Sequence, residues 1–128
     1  MRYLKDLYVS EELKGREEEI MEHLEKKEFQ FRVYLIALPE NEKNQLEIYH
    51  SGMLNQEWYR DKDVFVVGLA KGYLQALELV RKIAEETVDK TGDADIRQYI
   101  LKRQGNQVDP ELEFFLFQMF HYLLFPAF

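Results

Sequence analysis

A strand-to-helix junction, GLAKG at residues 68–72, carries the sharpest chemical suggestion in this sequence. Glycines at such a junction let backbone amides approach an anion at a helix start, where the dipole favours negative charge. Lys71 strengthens the suggestion, because a cation is the wrong sign for that end of a helix unless something negative sits beside it. Gly68, Lys71 and Gly72 therefore make a candidate small-anion site. The junction matches neither the phosphate-loop pattern nor GxGxxG. The alternative is structural: Gly68 lets the helix pack close to the strand, and Gly72 caps it. Trp58 and Arg60, with Tyr59 between them, add an aromatic-basic cluster in a neighbouring loop. Loops on rigid scaffolds often recognise ligands. Large aromatics are also mostly buried, so the same cluster can serve as a plug at the end of the core.

Other combinations are weaker. Glu19 and His23 stand four apart and share a face of a helix, which could begin a metal site. Carboxylate-bridged bundles need a second such helix, and the sequence holds no second copy. The run Glu18, Glu19, Glu22, Glu25 reads more simply as a solvated face. His50, Ser51, Asp61 and Asp63 supply a base, a nucleophile and acids, but no nucleophile elbow surrounds Ser51. His121 lies in an apolar run, where a neutral, hydrogen-bonded histidine is expected. No catalytic residue, metal ligand or cofactor is assigned.

The elements that must position these residues follow from periodicity. The first expected element is a surface helix over residues 10–27, capped by Ser10, with Leu13, Ile20, Met21 and Leu24 as a narrow apolar stripe. Residues 28–38 predict a strand: Phe29, Phe31, Val33 and Leu35 share one face, and Tyr34, Ile36 and Leu38 the other. A polar turn at 39–44 leads to a second strand at 45–50, making an antiparallel hairpin. Residues 51–62 connect, with room for a short helical turn, to a near-continuously apolar strand at 63–70. A long helix over 72–90 follows. Leu77 and Val80 are expected to face the sheet, and Gly92 to end the helix. A short helix over 95–103 and a linker at 105–107 precede a last helix announced by Asp109 and Pro110.

That last helix is the most conspicuous segment. It holds six of the nine phenylalanines and no charge from residue 114 onward. Phe114, Phe115, Phe117, Phe120, Tyr122 and Phe125 occupy too much of a helix's circumference to hide on one side. A large apolar surface of this kind must meet its own chain, a partner or lipid. The cheapest second layer is the same element from a twofold-related copy. A homodimer is therefore expected, with residues 108–128 as the dimerisation element. An unidentified protein partner is the other possibility. Spanning a bilayer takes about 20 apolar residues, more than the tail offers. It also lacks the basic polar face of a surface anchor, so membrane binding is disfavoured.

Composition narrows the classes further. The net charge is −7, and Lys and Arg are scattered among acidic neighbours, which argues against nucleic-acid binding. With no cysteines, disulfides, thiolate metal sites and a cysteine nucleophile are excluded. The opening residues lack the apolar core of a signal peptide, so a cytoplasmic protein is expected. At 128 residues the chain is expected to make one α+β domain.

The expected order α-β-β-β-α through residue 90 resembles the double-stranded-RNA-binding domain in topology. That family starts its last helix with lysines, whereas here Lys71 is followed by GYLQALEL, so RNA binding does not carry over. The strand-to-helix stretch VGLAKGYLQALELVRKIAEE is also similar to that of small antitoxin-type domains. With DIRQYI after it, residues 64–100 resemble small uncharacterised bacterial α+β proteins, and no activity is implied. The expectation is thus a three-stranded, mostly antiparallel sheet with a short helix and a C-terminal aromatic helix added. Its expected role is a non-enzymatic, self-associating interaction or regulatory module. The alternatives are a small-ligand or anion-binding protein, an enzyme included, with its site at GLAKG, and membrane-surface association through the tail.

Overall fold

The computed structural model describes residues 1–39, 45–55 and 64–106. The elements run β1 (Arg2–Val9), α1 (Glu17–Glu25), β2 (Val33–Leu38), β3 (Glu47–His50), β4 (Phe65–Lys71), α2 (Tyr73–Thr91) and α3 (Ile96–Asn106). Short 3-10 turns sit at Glu11–Leu13 and Ser51–Asn55. The class is α+β, as expected, but the sheet has four strands in the order β1-β4-β2-β3 and is mixed. β1 runs parallel to β4, while β4–β2 and β2–β3 are antiparallel. The expected three-stranded sheet and α-β-β-β-α order are thereby corrected, and the topological likeness to the double-stranded-RNA-binding domain goes with them.

β1 escapes pattern reading for a physical reason. Its register jumps from Tyr3↔Val66 to Tyr8↔Gly68, so five steps on β1 oppose two on β4. A bulge of that size destroys the period of two on which strand recognition rests. The bulged residues Lys5 and Asp6 are exposed, which suits an edge strand.

Each face of the sheet carries helices. Leu4, Ile36, Leu38, Phe65 and Val67 pack with Ala76, Leu79 and Ile83 of α2 and Ile96 and Ile100 of α3. On the other face Val33, Leu35, Ala37, Val66 and Leu69 pack with Leu13 and with Ile20 and Leu24 of α1. β2 alternates between these layers as its pattern dictates. β4 changes phase partway: Phe65 and Val67 face α2, then Leu69 faces α1 and Ala70 faces α2. Opposite it, Ile36 pairs with Gly68 but Ala37 with Val66, so Val67 is an extra residue. Gly68 lies inside β4, not in the loop after it. A Cβ there would stand 3.1 Å from the Tyr8 carbonyl oxygen and 3.2 Å from Ile36 Cδ1.

Other boundaries shift. The helix expected over 10–27 is two pieces, the 3-10 turn and α1, separated by a turn through Lys14 and Gly15. Ser10 makes no side-chain cap there. The strand expected from residue 28 starts at Val33, and Arg32 takes a left-handed φ of 61° that ends extended pairing. On α2 the buried stripe is Ala76, Leu79, Ile83 and Thr87. Leu77, expected inside, is 42% exposed, and Val80 lies half-buried at the margin. Gly92 ends α2 as expected, its N–H donating to the Val88 carbonyl at 2.8 Å. α3 runs through Asn106, over part of the expected linker.

Candidate functional site

The carboxyl ends of the parallel strands β1 and β4 lie side by side, and α2 starts there. Ser10, just past β1, accepts the Lys71 N–H on its hydroxyl at 3.1 Å and donates its own N–H to Leu69 at 3.0 Å. These bonds hold the two strand ends together. Gly72 then turns the chain with φ 92°, a conformation costly for any residue with a side chain. Its N–H donates to the Arg32 carbonyl at 2.7 Å, and its carbonyl accepts the first helical N–H, from Ala76, at 3.1 Å. A Cβ on Gly72 would stand 2.8 Å from Arg32 Nη2, so this guanidinium lies over the helix start.

The three residues of the GLAKG hypothesis are thus separated in role. Gly68 is a sheet residue, Gly72 is the N-cap of α2, and Lys71 ends β4. The negative group near Lys71 belongs to the chain itself: Nζ lies 4.0 Å from Glu12 Oε2. Both side chains are well exposed, so the pair contributes little to stability. Arg32 was hidden from sequence reasoning by the strand expected to contain it. Trp58 and Arg60 lie outside the described residues, as do Asp61, Asp63, His121 and the tail interface residues Phe114, Phe115, Phe117, Phe120, Tyr122 and Phe125.

A cleft of about 350 Å³ opens between α1 and the segment leading into β2, lined in part by Leu13, Arg16, His23, Phe31 and Lys71. His23 Nδ1 lies 2.5 Å from Glu28 Oε2, so its partner is Glu28 and not Glu19. Glu19 pairs instead with Arg16 at 3.6 Å. Among the described residues no group of three or more metal-ligating side chains converges. Ser51 is 3% exposed and its hydroxyl donates to the Gln30 carbonyl at 2.9 Å, while His50 Nδ1 accepts the Gly52 N–H at 3.0 Å. Both have structural employment and neither is aimed at the other.

Beside the cleft runs an aromatic rim. Tyr34 meets His50 edge-on at 5.0 Å and Tyr73 at 5.9 Å, and Phe29 meets His50 at 5.9 Å. Phe29 and Phe31 are 65% and 74% exposed, and Leu74 and Leu77 continue the apolar surface from Tyr73 along α2. Sequence reading put Phe29 and Phe31 on a sheet face. The left-handed turn at Arg32 delivers them to the surface instead.

A second polar cluster lies between β1, α2 and α3. Glu86 Oε2 accepts from the Tyr8 and Tyr99 hydroxyls and from Arg103, whose other Nη donates to Asp6 at 2.7 Å. The Arg103 guanidinium also lies 4.6 Å from the centre of the Tyr8 ring. Burial, and then the bond to Glu86, pushes the Tyr8 hydroxyl well above the usual tyrosine range. The cluster ties β1, α2 and α3 together. Its donors are committed to its own carboxylates, so it serves as a structural clamp.

No family model, curated protein or solved structure matches this chain. The described surface is mixed in character. Several charged side chains on it pair with one another, and Phe29, Phe31, Tyr73, Leu74 and Leu77 are exposed. No helix among the described residues is long and apolar enough to cross a membrane.

Proposed function

We propose that this protein is a cytoplasmic, non-enzymatic module that self-associates and acts as an interaction or regulatory element. One observation carries this: Phe29, Phe31, Tyr73, Leu74 and Leu77 are all exposed, and Phe29 and Tyr73 end a series of ring contacts that runs through His50 and Tyr34. Contiguous exposed apolar surface marks association sites on soluble proteins. Burying it gains about 25 cal/mol per Å². The aromatic segment 108–128 adds to the same tendency, with Phe114, Phe115, Phe117, Phe120, Tyr122 and Phe125 as its interface residues in a homodimer. Light scattering on the intact chain across micromolar concentrations tests the proposal. A dimer is expected, and a strictly monomeric protein refutes it.

A second reading, a small-anion site at the start of α2, is favoured by the Arg32 guanidinium beside Gly72. In that reading the Arg32 guanidinium and the Lys71 ammonium bind, Gly72 leaves room for the anion because it has no side chain, and Trp58 and Arg60 are neighbouring contacts. Titration with phosphate and common nucleotides, followed by thermal shift, separates the two, because only the second predicts clear stabilisation. Arg32→Ala would abolish it.

A further inference from the structure

α2 carries two stripes of apolar character, and only one of them faces the sheet. Ala76, Leu79, Ile83 and Thr87 are buried. Leu74, Leu77, Arg81, Ala84 and Val88 form the second stripe, at alternating steps of three and four. That spacing is the seam of a two-stranded coil. Leu74 is 75% exposed, Leu77 42% and Val88 48%, while Ala84 between them is half-buried against the core, so the seam is open at its apolar ends where a surface helix normally shows charge.

The stripe is self-complementary. Leu74 and Val88 each lie seven residues from Arg81, one on either side. If two copies of α2 run antiparallel across Arg81, Leu74 of one stands opposite Val88 of the other, and Leu77 stands opposite Ala84 and Glu85. Arg81 is already flanked by Glu78 and Glu85, with Nε 3.0 Å from Glu78 Oε2. Each glutamate is within one turn of the crossing point, so Arg81 of one copy can share those of the other. At the central rung Arg81 faces Arg81 of the second copy, and the two glutamates that flank each arginine offset that like charge. The ends match as well. The antiparallel arrangement brings Arg32, exposed at the start of α2, toward Asp89 and Asp93, exposed at its end. It also opposes the two helix dipoles, whereas a parallel pair aligns them.

We infer that α2 binds α2 of a second copy, antiparallel about a twofold axis near Arg81, with Leu74, Leu77 and Val88 as the apolar contacts. This rests on the self-association proposed above and names one of its surfaces. A helix of 19 residues is about 28 Å long, so this contact sits at the small end of specific interfaces, below about 1,200 Å².

The chain has no cysteine, so single-cysteine variants carry a nitroxide at one place only. Labels at Gln75→Cys, Lys82→Cys and Lys90→Cys lie on exposed positions of α2. Antiparallel pairing about Arg81 sets axial separations of about 18, 3 and 27 Å between like positions, at 1.5 Å per residue doubled by the twofold. Strong dipolar broadening at 82, with longer distances at 75 and 90, is the expected result. Separately, Leu74→Lys with Leu77→Lys should weaken the dimer about tenfold or more, as loss of an apolar anchor does, and leave the helical circular dichroism intact. Near-equal distances at all three positions would overturn the antiparallel arrangement. An unweakened dimer in the double variant, without broadening at 82, would overturn the α2 interface and leave self-association standing. A wild-type monomer in the same concentration range would overturn both.

Discussion

The Tyr8 hydroxyl donates to the Glu86 carboxylate across 78 residues of sequence, joining the edge strand β1 to the middle of α2. Tyr99 and Arg103 of α3 reach the same oxygen at 2.8 and 3.4 Å. One carboxylate thus fixes three elements, and α3 is the element from which the aromatic segment departs. Glu86→Ala leaves three donors without their acceptor. The expected cost is about 1–3 kcal/mol, measured by urea unfolding. Tyr8→Phe removes one bond and should cost about 1 kcal/mol.

The clamp also sets an alkaline limit on stability. Tyr8 and Tyr99 are raised from the usual value of 10.0 by burial and then by their bonds to Glu86, and Tyr3 is raised by burial and then by its bond to Glu25. Above about pH 10 the unfolded chain loses these protons while the folded chain keeps them, so folding binds more protons than unfolding there. Stability is fully present below pH 10 and falls as pH rises beyond it. Urea midpoints between pH 9 and 11 should decline in wild type, and decline less steeply in Tyr8→Phe.

Gly68 is needed for close approach and not for an anion. Gly68→Ala places a methyl 3.1 Å from the Tyr8 carbonyl and 3.2 Å from Ile36 Cδ1. Overpacking of this kind costs about 1–3 kcal/mol, and the strain should fall on the β1–β4 pair. Hydrogen exchange that loosens β1 amides before those of β2 would be the signature. Unchanged protection and stability would remove the close-approach explanation.

On α2, the inward stripe sets the order of mutational costs. Ile83→Ala should lose about 2–5 kcal/mol through transfer energy and a residual cavity. Leu77→Ala, which uniform helical periodicity places in the core, should change monomer stability by no more than about 0.5 kcal/mol. Equal costs at the two positions, by chemical denaturation, would contradict the observed rotation of the helix.

What was legible in the sequence follows from which signals are local. α2 and its stop at Gly92, the two faces of β2, the β2–β3 hairpin and the burial of β4 all have their cause within a few neighbouring residues. The rotation of α2 was not fixed so closely, since apolar residues populate both of its stripes and Leu77 could be placed on either. β1 could not be read, because its bulge erases alternation and its pairing with β4 spans sixty or more positions. Lys71 and Gly72 were correctly set at a strand-to-helix junction. Their neighbours there, Arg32 and Glu12, come from distant segments brought together by the fold. The rim formed by Phe29, Tyr34, His50 and Tyr73 has the same origin.

The most direct test of the central claim is the solution mass of the intact chain by light scattering over a concentration series through the micromolar range. The account predicts twice the 15.5 kDa of one chain, falling toward one chain on dilution and in a Phe120→Glu variant. A mass of 15.5 kDa at every concentration, with the protein folded, would contradict it.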